Sequence, residues 1–265
     1  AVLKNNGRPH EIPEVYRAWK WIEAADFPNV NIDLIAGMVG ETWENWRDCI
    51  RRTLELAPES VTIYQMELPF NTVYSQDILG NRIETPVADW DTKRAWVDYA
   101  FEELSAAGYH VSSAYTMIRH PEQVSFSYRD NLWRGSDLLA TGIASFGHIS
   151  GVHYQNLPEW DDYIRPLMEE SRLPLGRAYR PTPHQALIRE MILLLKKGWL
   201  DAGYFRQKFG VEILEEWAEV WRGYEAEELL TIEGDRIELT RAGLLRADSL
   251  LPAFFEPEHQ GVRYT

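Results

Sequence analysis

Apolar positions in the first half of the chain change period several times. Residues 13–25 carry Val15, Trp19 and Ile22 at spacings of four and three, which predicts a helix. Residues 30–35 (VNIDLI) read as a short apolar strand interrupted by Asp33, and residues 37–40 as a turn. Thr42 is placed to cap a helix over 43–56, with Trp46, Cys49, Ile50 and Leu54 on one face. A second strand is expected over 61–66 (VTIYQM), then a helix over 91–107 ended by Gly108, and a third strand over 109–115. Strands alternating with amphipathic helices predict right-handed crossovers and a parallel sheet.

The pattern then shifts. Residues 137–150 (DLLATGIASFGHIS) are apolar and rich in small side chains, and their glycines allow close approach of backbone or ligand. A polar helix is expected over 158–171, followed by a linker, RLPLGRAYRPTP. The last third predicts helices over 181–197, 201–209 and 213–222. A β-hairpin over 229–232 and 236–239 turns at Glu233, Gly234 and Asp235, and Thr240 caps a final helix. That order is winged-helix-like. The fold expected is α/β: a partial (β/α) barrel with parallel strands over 1–172, then a small winged-helix-like domain over 173–265.

Charge narrows the function. The chain has 27 Lys and Arg against 41 Asp and Glu, a formal net charge of −14, which disfavours nucleic acid as a partner. The candidate recognition helix of the winged-helix region carries Glu212, Glu215, Glu216 and Glu219 against one Arg222, so phosphate would repel it. A transcription factor is the weaker reading, and an interaction or lid role suits that domain better. Cys49 is the only cysteine, so the chain can form no internal disulfide, cysteine zinc site or iron–sulfur cluster from its own thiolates. No run of about 18 apolar residues is present to span a membrane. A reducing, cytoplasmic setting is the expectation.

Asp33 is the sharpest chemical candidate, because parallel sheets bind ligands beyond the C-terminal ends of their strands and a carboxylate there can accept from a ribose diol or an amine. The reading equally allows a buried Asp that caps its own loop. Gly37 and Gly40 follow at the next helix N-terminus. Arg8 could grip a carboxylate or stand solvated at the surface. Glu67, after the second strand, is a site group or a rim ion-pair partner. His148 and His153 could ligate metal or haem, with packing as the commoner role for such histidines. The tryptophans fall on helices and read as core.

Together these segments resemble the radical S-adenosylmethionine (SAM) enzymes related to oxygen-independent coproporphyrinogen III oxidase. The family's G-R-x-H segment resembles Gly7–Arg8–Pro9–His10. Its N-[ILV]-D-L-[IM]-x-G-[LM]-P-G-Q-T segment resembles residues 31–42, with Val39 for the usual Pro and Glu41 for the usual Gln. Its Asn-bearing loop and D-[LY]-L-x-x-G-x-[GS]-A segment resemble Asn131–Leu132–Trp133 and residues 137–145. The resemblance runs through LTRAGLLRADSLL near the C-terminus.

The resemblance implies a partial β/α barrel binding SAM on a [4Fe–4S] cluster. A 5′-deoxyadenosyl radical would then attack a tetrapyrrole side chain, turning propionates into vinyl groups in the oxidase itself. Arg8 and Asp33 would contact SAM, at its methionyl carboxylate and ribose hydroxyls. Met66 would contribute backbone beside the adenosyl group, and Phe146 would line a second ligand pocket. The family holds its cluster by C-x-x-x-C-x-x-C near the N-terminus, and Cys49 alone cannot. The chain is therefore read as the C-terminal portion of a longer protein, inactive in radical chemistry without its N-terminal half. A haem chaperone, a radical methyltransferase and a haem-opening enzyme are the alternatives within the family.

Overall fold

The computed structural model describes residues 2–67, 76 and 87–261. They pack as two compact units, one of the described residues up to 125 with 244–246 and 261, the other of residues 126–243 with 247–260.

In the first unit, β1 (Asn31–Ala36) and β2 (Ser60–Gln65) pair in parallel, Asn31 opposite Ser60 and Ala36 opposite Gln65. Between them runs α3 (Trp43–Leu56), which follows α1 (Val2–Asn5) and α2 (Ile12–Ala24). Thr42 caps α3 as expected, its Oγ1 accepting from the Asn45 N–H at 3.3 Å. Then comes α4 (Trp90–Ala106). Leu34, Ala36, Val61, Ile63 and Met117 point to one face of the sheet and meet Trp46 and Ile50 of α3 and Trp96, Val97, Phe101 and Leu104 of α4. Each such side chain, fully buried, contributes about 1.5–3 kcal/mol relative to exposure. The Trp46 indole donates to the Trp96 carbonyl at 2.7 Å, so its one polar atom is satisfied inside the core.

The third expected strand is corrected. Residues 110–118 fold back on themselves as β3 (His110–Val111) and β4 (Thr116–Ile118), because Ser112 and Ser113 both donate to the Thr116 carbonyl and close a tight turn. The sheet order is β1-β2-β4-β3. β4 runs antiparallel to both neighbours and separates β2 from β3. β3 thus keeps the direction that a crossover imposes, while the strand beside β2 is reversed. The helix α2 forms as expected, but its tryptophans are not core: none of its residues is buried and Trp21 is 67% exposed.

In the second unit, α5 (Ser127–Trp133) precedes a sheet of β5 (Phe146–Ile149), β6 (Val152–Asn156) and β7 (Leu175–Tyr179), antiparallel throughout and in that order, with α6 (Trp160–Glu169) between the last two strands. β7 lies in the expected linker, whose exposed residues give no apolar signal but complete the hydrogen bonding of β6. That pairing ties residues 175–179 to 146–156, so the packing does not divide at 172/173. Gly147 leaves room for the Tyr154 ring: a Cβ there would lie 2.3 Å from it, so the tyrosine would have to shift.

The remainder of this unit is α7 (Pro183–Leu195), β8 (Trp199–Asp201), α8 (Ala202–Phe209), α9 (Ile213–Glu216), α10 (Ala218–Ala226), β9 (Leu230–Glu233) and β10 (Arg236–Leu239). The three strands form a sheet ordered β8-β10-β9, compatible with the winged-helix reading. Thr240 caps the next helix by accepting from the Gly243 N–H at 3.2 Å.

Candidate functional site

The strand period sorts β1, β2 and β4 into two faces. Opposite the apolar core lie Asn31, Asp33, Ser60, Thr62, Tyr64 and Thr116. They form a connected polar network in which Ser60, Thr62 and Thr116 are buried and Asn31, Asp33 and Tyr64 are exposed. Asn31 Oδ1 accepts from Ser60 Oγ at 2.8 Å and from Thr62 Oγ1 at 3.1 Å, and the Thr62 and Thr116 hydroxyls are 3.2 Å apart. Asn31 Nδ2 donates to Asp33 Oδ1 at 2.6 Å. The other Asp33 oxygen has no hydrogen bond among the described residues. Asp33, Thr62 and Thr116 therefore form one row across three strands, with the exposed carboxylate at one end. Tyr64, two residues further along, has its phenol pushed to higher pKa by partial burial and by the Asp33 charge.

Asp33 is the third of six residues in β1, so it stands along the polar face and not at the strand's C-terminal end. Met66 does mark that end. Its N–H donates to the Ala36 carbonyl at 2.8 Å, and its own carbonyl accepts from Lys93 Nζ at 2.8 Å. Lys93 is only 5% exposed, and its ammonium lies 3.8 Å from the centre of the Trp90 ring. Burial lowers its pKa, against the opposing charges of Glu67 and Asp89. The lysine stem crosses Gly37, whose φ is +94°; a Cβ there would fall 2.5 Å from Lys93 Cδ. Glu41 secures the same turn by accepting from the Gly37 and Met38 N–H groups at 2.8 and 3.2 Å. Burial raises the Glu41 pKa, and those two hydrogen bonds oppose the shift. Asn6 also joins this turn, exchanging two 3.0 Å hydrogen bonds with the Val39 backbone.

Arg8 is exposed and makes no side-chain hydrogen bond or ion pair among the described residues. Glu67 is exposed beside Met66. Phe146 belongs to the other unit, where it opens β5 with 64% of its surface exposed. His148 and His153 pair directly across β5 and β6, with ring centroids 4.5 Å apart. Burial, the Arg189 charge and His148 lower the His153 pKa in that order.

Lys93 and the Asn31 hydroxyl network went unread in the sequence. Lys93 had a signal: it lies in line with Trp96, Val97, Ala100 and Leu104, the only charged position on the buried stripe of α4. Cys49 packs against the core, and its thiol is pushed up to about 12, first by burial and then by Glu41 and Asp48. A buried, protonated thiol on a helix with no second cysteine in the chain does not fit a [4Fe–4S] cluster. The exposed Asp33 carboxylate, with one oxygen unbonded among the described residues, does fit a hydroxyl-bearing ligand.

Residues 182–246 match the model of the HemN C-terminal domain. The chain is 25% identical over 256 residues to an oxygen-independent coproporphyrinogen III oxidase of Thermostichus vulcanus, covering 90% of this chain and 77% of that protein. It is 24% identical over 257 residues to a haem chaperone HemW of Lactococcus lactis, covering 96% of this chain and 65% of the relative. A haem chaperone HemW of Bacillus subtilis is 22% identical over 256 residues, covering 96% of this chain and 66% of that protein. Among solved structures, the coproporphyrinogen III oxidase HemN of Escherichia coli, a radical SAM enzyme, shares the fold with a TM-score of 0.78 at 19% identity, over 96% of this chain and 61% of that one. By fold and by sequence along nearly its whole length, this chain is similar to the HemN-like proteins, coproporphyrinogen III oxidases and HemW haem chaperones alike.

Proposed function

We propose that this chain supplies the SAM-contacting and tetrapyrrole-binding portion of a radical SAM protein of haem biosynthesis, acting on the propionates of coproporphyrinogen III. The observation that carries the reading is the Asp33–Thr62–Thr116 row, a carboxylate with one oxygen unengaged among the described residues, on the polar face of a β/α sheet. Similarity to a coproporphyrinogen III oxidase over 90% of the chain supports it. In this reading Asp33 accepts from the ribose hydroxyls of SAM and Asn31 holds the carboxylate in place. Arg8 takes the methionyl carboxylate, Met66 offers backbone to the adenosyl group, and Phe146 lines a second ligand pocket. When bound, a [4Fe–4S] cluster would supply the electron for SAM cleavage; the buried Cys49 thiol, alone in this chain, does not fit as its ligand set.

A second reading, a haem chaperone, is favoured by similarity to HemW over 96% of the chain. Calorimetric titration with SAM tests the Asp33 assignment. Asp33→Ala removes a charge-assisted acceptor and should weaken binding about tenfold to a hundredfold. Unchanged affinity rejects it. Parallel titrations with coproporphyrin and with haem separate the two readings, since a chaperone prefers haem.

A further inference from the structure

The sheet of β5, β6 and β7 has one face with an unusual composition. Phe146, Gln155 and Arg177 stand opposite one another across the three strands, and His148, His153 and Tyr179 form the next row. All six point to the same side, because the rows are two residues apart. The side-chain contacts agree: Arg177 Nε donates to Gln155 Oε1 at 2.7 Å, the Arg177 guanidinium lies 5.9 Å from the Phe146 ring centre, and the two histidines touch. Two strand spacings and one two-residue step make a face of about 10 by 7 Å, buried at His148 and open at its Phe146 and Tyr179 corners. Phe146 and Tyr179 are 64% and 55% exposed.

A further cation stands at its edge. The Tyr179 hydroxyl donates to Gln185 on α7, and Arg189 lies one turn on, on the same side of that helix. Its charge is felt at His153. Arg189 is half-buried, yet it makes no side-chain hydrogen bond or ion pair among the described residues. The nearby acids are engaged elsewhere. Glu190, whose charge reaches Arg189, is held by Lys208 at 2.8 Å, and Glu256 by His184 at 2.9 Å and Gln185 at 2.7 Å. In a chain of net charge −14, none of the three strands contains an Asp or Glu.

We propose that this face binds a flat, carboxylate-bearing ligand, stacked on Phe146 and Tyr179 with its carboxylates taken by Arg177 and Arg189. Exposed rings give a sequence-independent stacking surface, and guanidinium forks match carboxylates bidentately. The positive face in an acidic chain also draws an anion to it. Identifying the ligand as a tetrapyrrole rests on the function proposed above; the ligand chemistry does not.

The test is quenching of tryptophan fluorescence in the purified chain by coproporphyrin III, its tetramethyl ester, pyrene butyrate and inorganic phosphate. Coproporphyrin and pyrene butyrate should bind, the ester at least tenfold more weakly, and phosphate should compete poorly. Arg177→Gln and Arg189→Gln should each weaken carboxylate binding about tenfold. Phe146→Ser should weaken both carboxylates, and Arg222→Gln, remote from the face, neither. Arg177 and Phe146 are exposed, so their variants keep the fold, which circular dichroism checks. Binding of pyrene butyrate that depends on both arginines, without binding of coproporphyrin, upholds the face and overturns the tetrapyrrole reading. Coproporphyrin binding indifferent to Arg177 and Phe146, equal affinity for the ester, or full competition by phosphate overturns the face.

Discussion

Gly37→Ala puts the turn after β1 to a quantitative test. Its φ of +94° is costly for any residue with a Cβ, by about 1–2 kcal/mol. The new methyl would also meet Lys93 Cδ at 2.5 Å, and the flexible lysine must move off. Moving it breaks the 2.8 Å hydrogen bond from Nζ to the Met66 carbonyl, a charged bond worth about 1.5–3 kcal/mol. The single variant should therefore lose about 2.5–5 kcal/mol of stability. A double-mutant cycle separates the two parts. With Lys93→Ala already in place, nothing blocks the methyl, and only the backbone cost of about 1–2 kcal/mol should remain. Urea denaturation of the four proteins, followed by tryptophan fluorescence, measures the difference. Equal losses in both backgrounds would refute the claim that the lysine stem and Gly37 share one space.

Gly243→Ala should be more disruptive locally, because its Cβ would lie 1.9 Å from the Leu229 carbonyl oxygen, which is backbone and already accepts from Thr240. Overpacking of this kind costs about 3 kcal/mol or more, read as a lower Tm. Glu41 has a raised pKa in the folded chain, so in the window between its unfolded value of 4.5 and the folded one the native state holds the proton. Stability there falls as pH rises, and Glu41→Gln should flatten the denaturation profile through that window. Cys49, with its thiol pushed up to about 12, should resist a disulfide reagent at pH 8 in the native protein and react at once in denaturant. Asn31→Ala should weaken SAM binding through Asp33 while costing about 1 kcal/mol of stability, measured by calorimetry and denaturation side by side.

The hydrophobic period alone located β1, α3, β2 and α4, because each buries one continuous stripe and its spacing is visible in the residues themselves. The caps at Thr42 and Thr240 were equally legible, since a hydroxyl before an apolar run satisfies free N–H groups by local chemistry. Tertiary structure decided what depends on partners distant in sequence. Whether residues 109–118 made one strand or two turned on the Ser112–Thr116 turn and on β4 entering beside β2. β7 exists because β6 needed an edge partner, which nothing in its exposed residues announces. Lys93 stood on the buried stripe in plain view, but its carbonyl acceptor lies 27 residues away. The face shared by Phe146, His153, Arg177 and Arg189 likewise exists only once three strands and a helix are brought together. Local spacing determines which side chains share an element's face; long-range pairing determines which faces meet, and there the site chemistry is assembled.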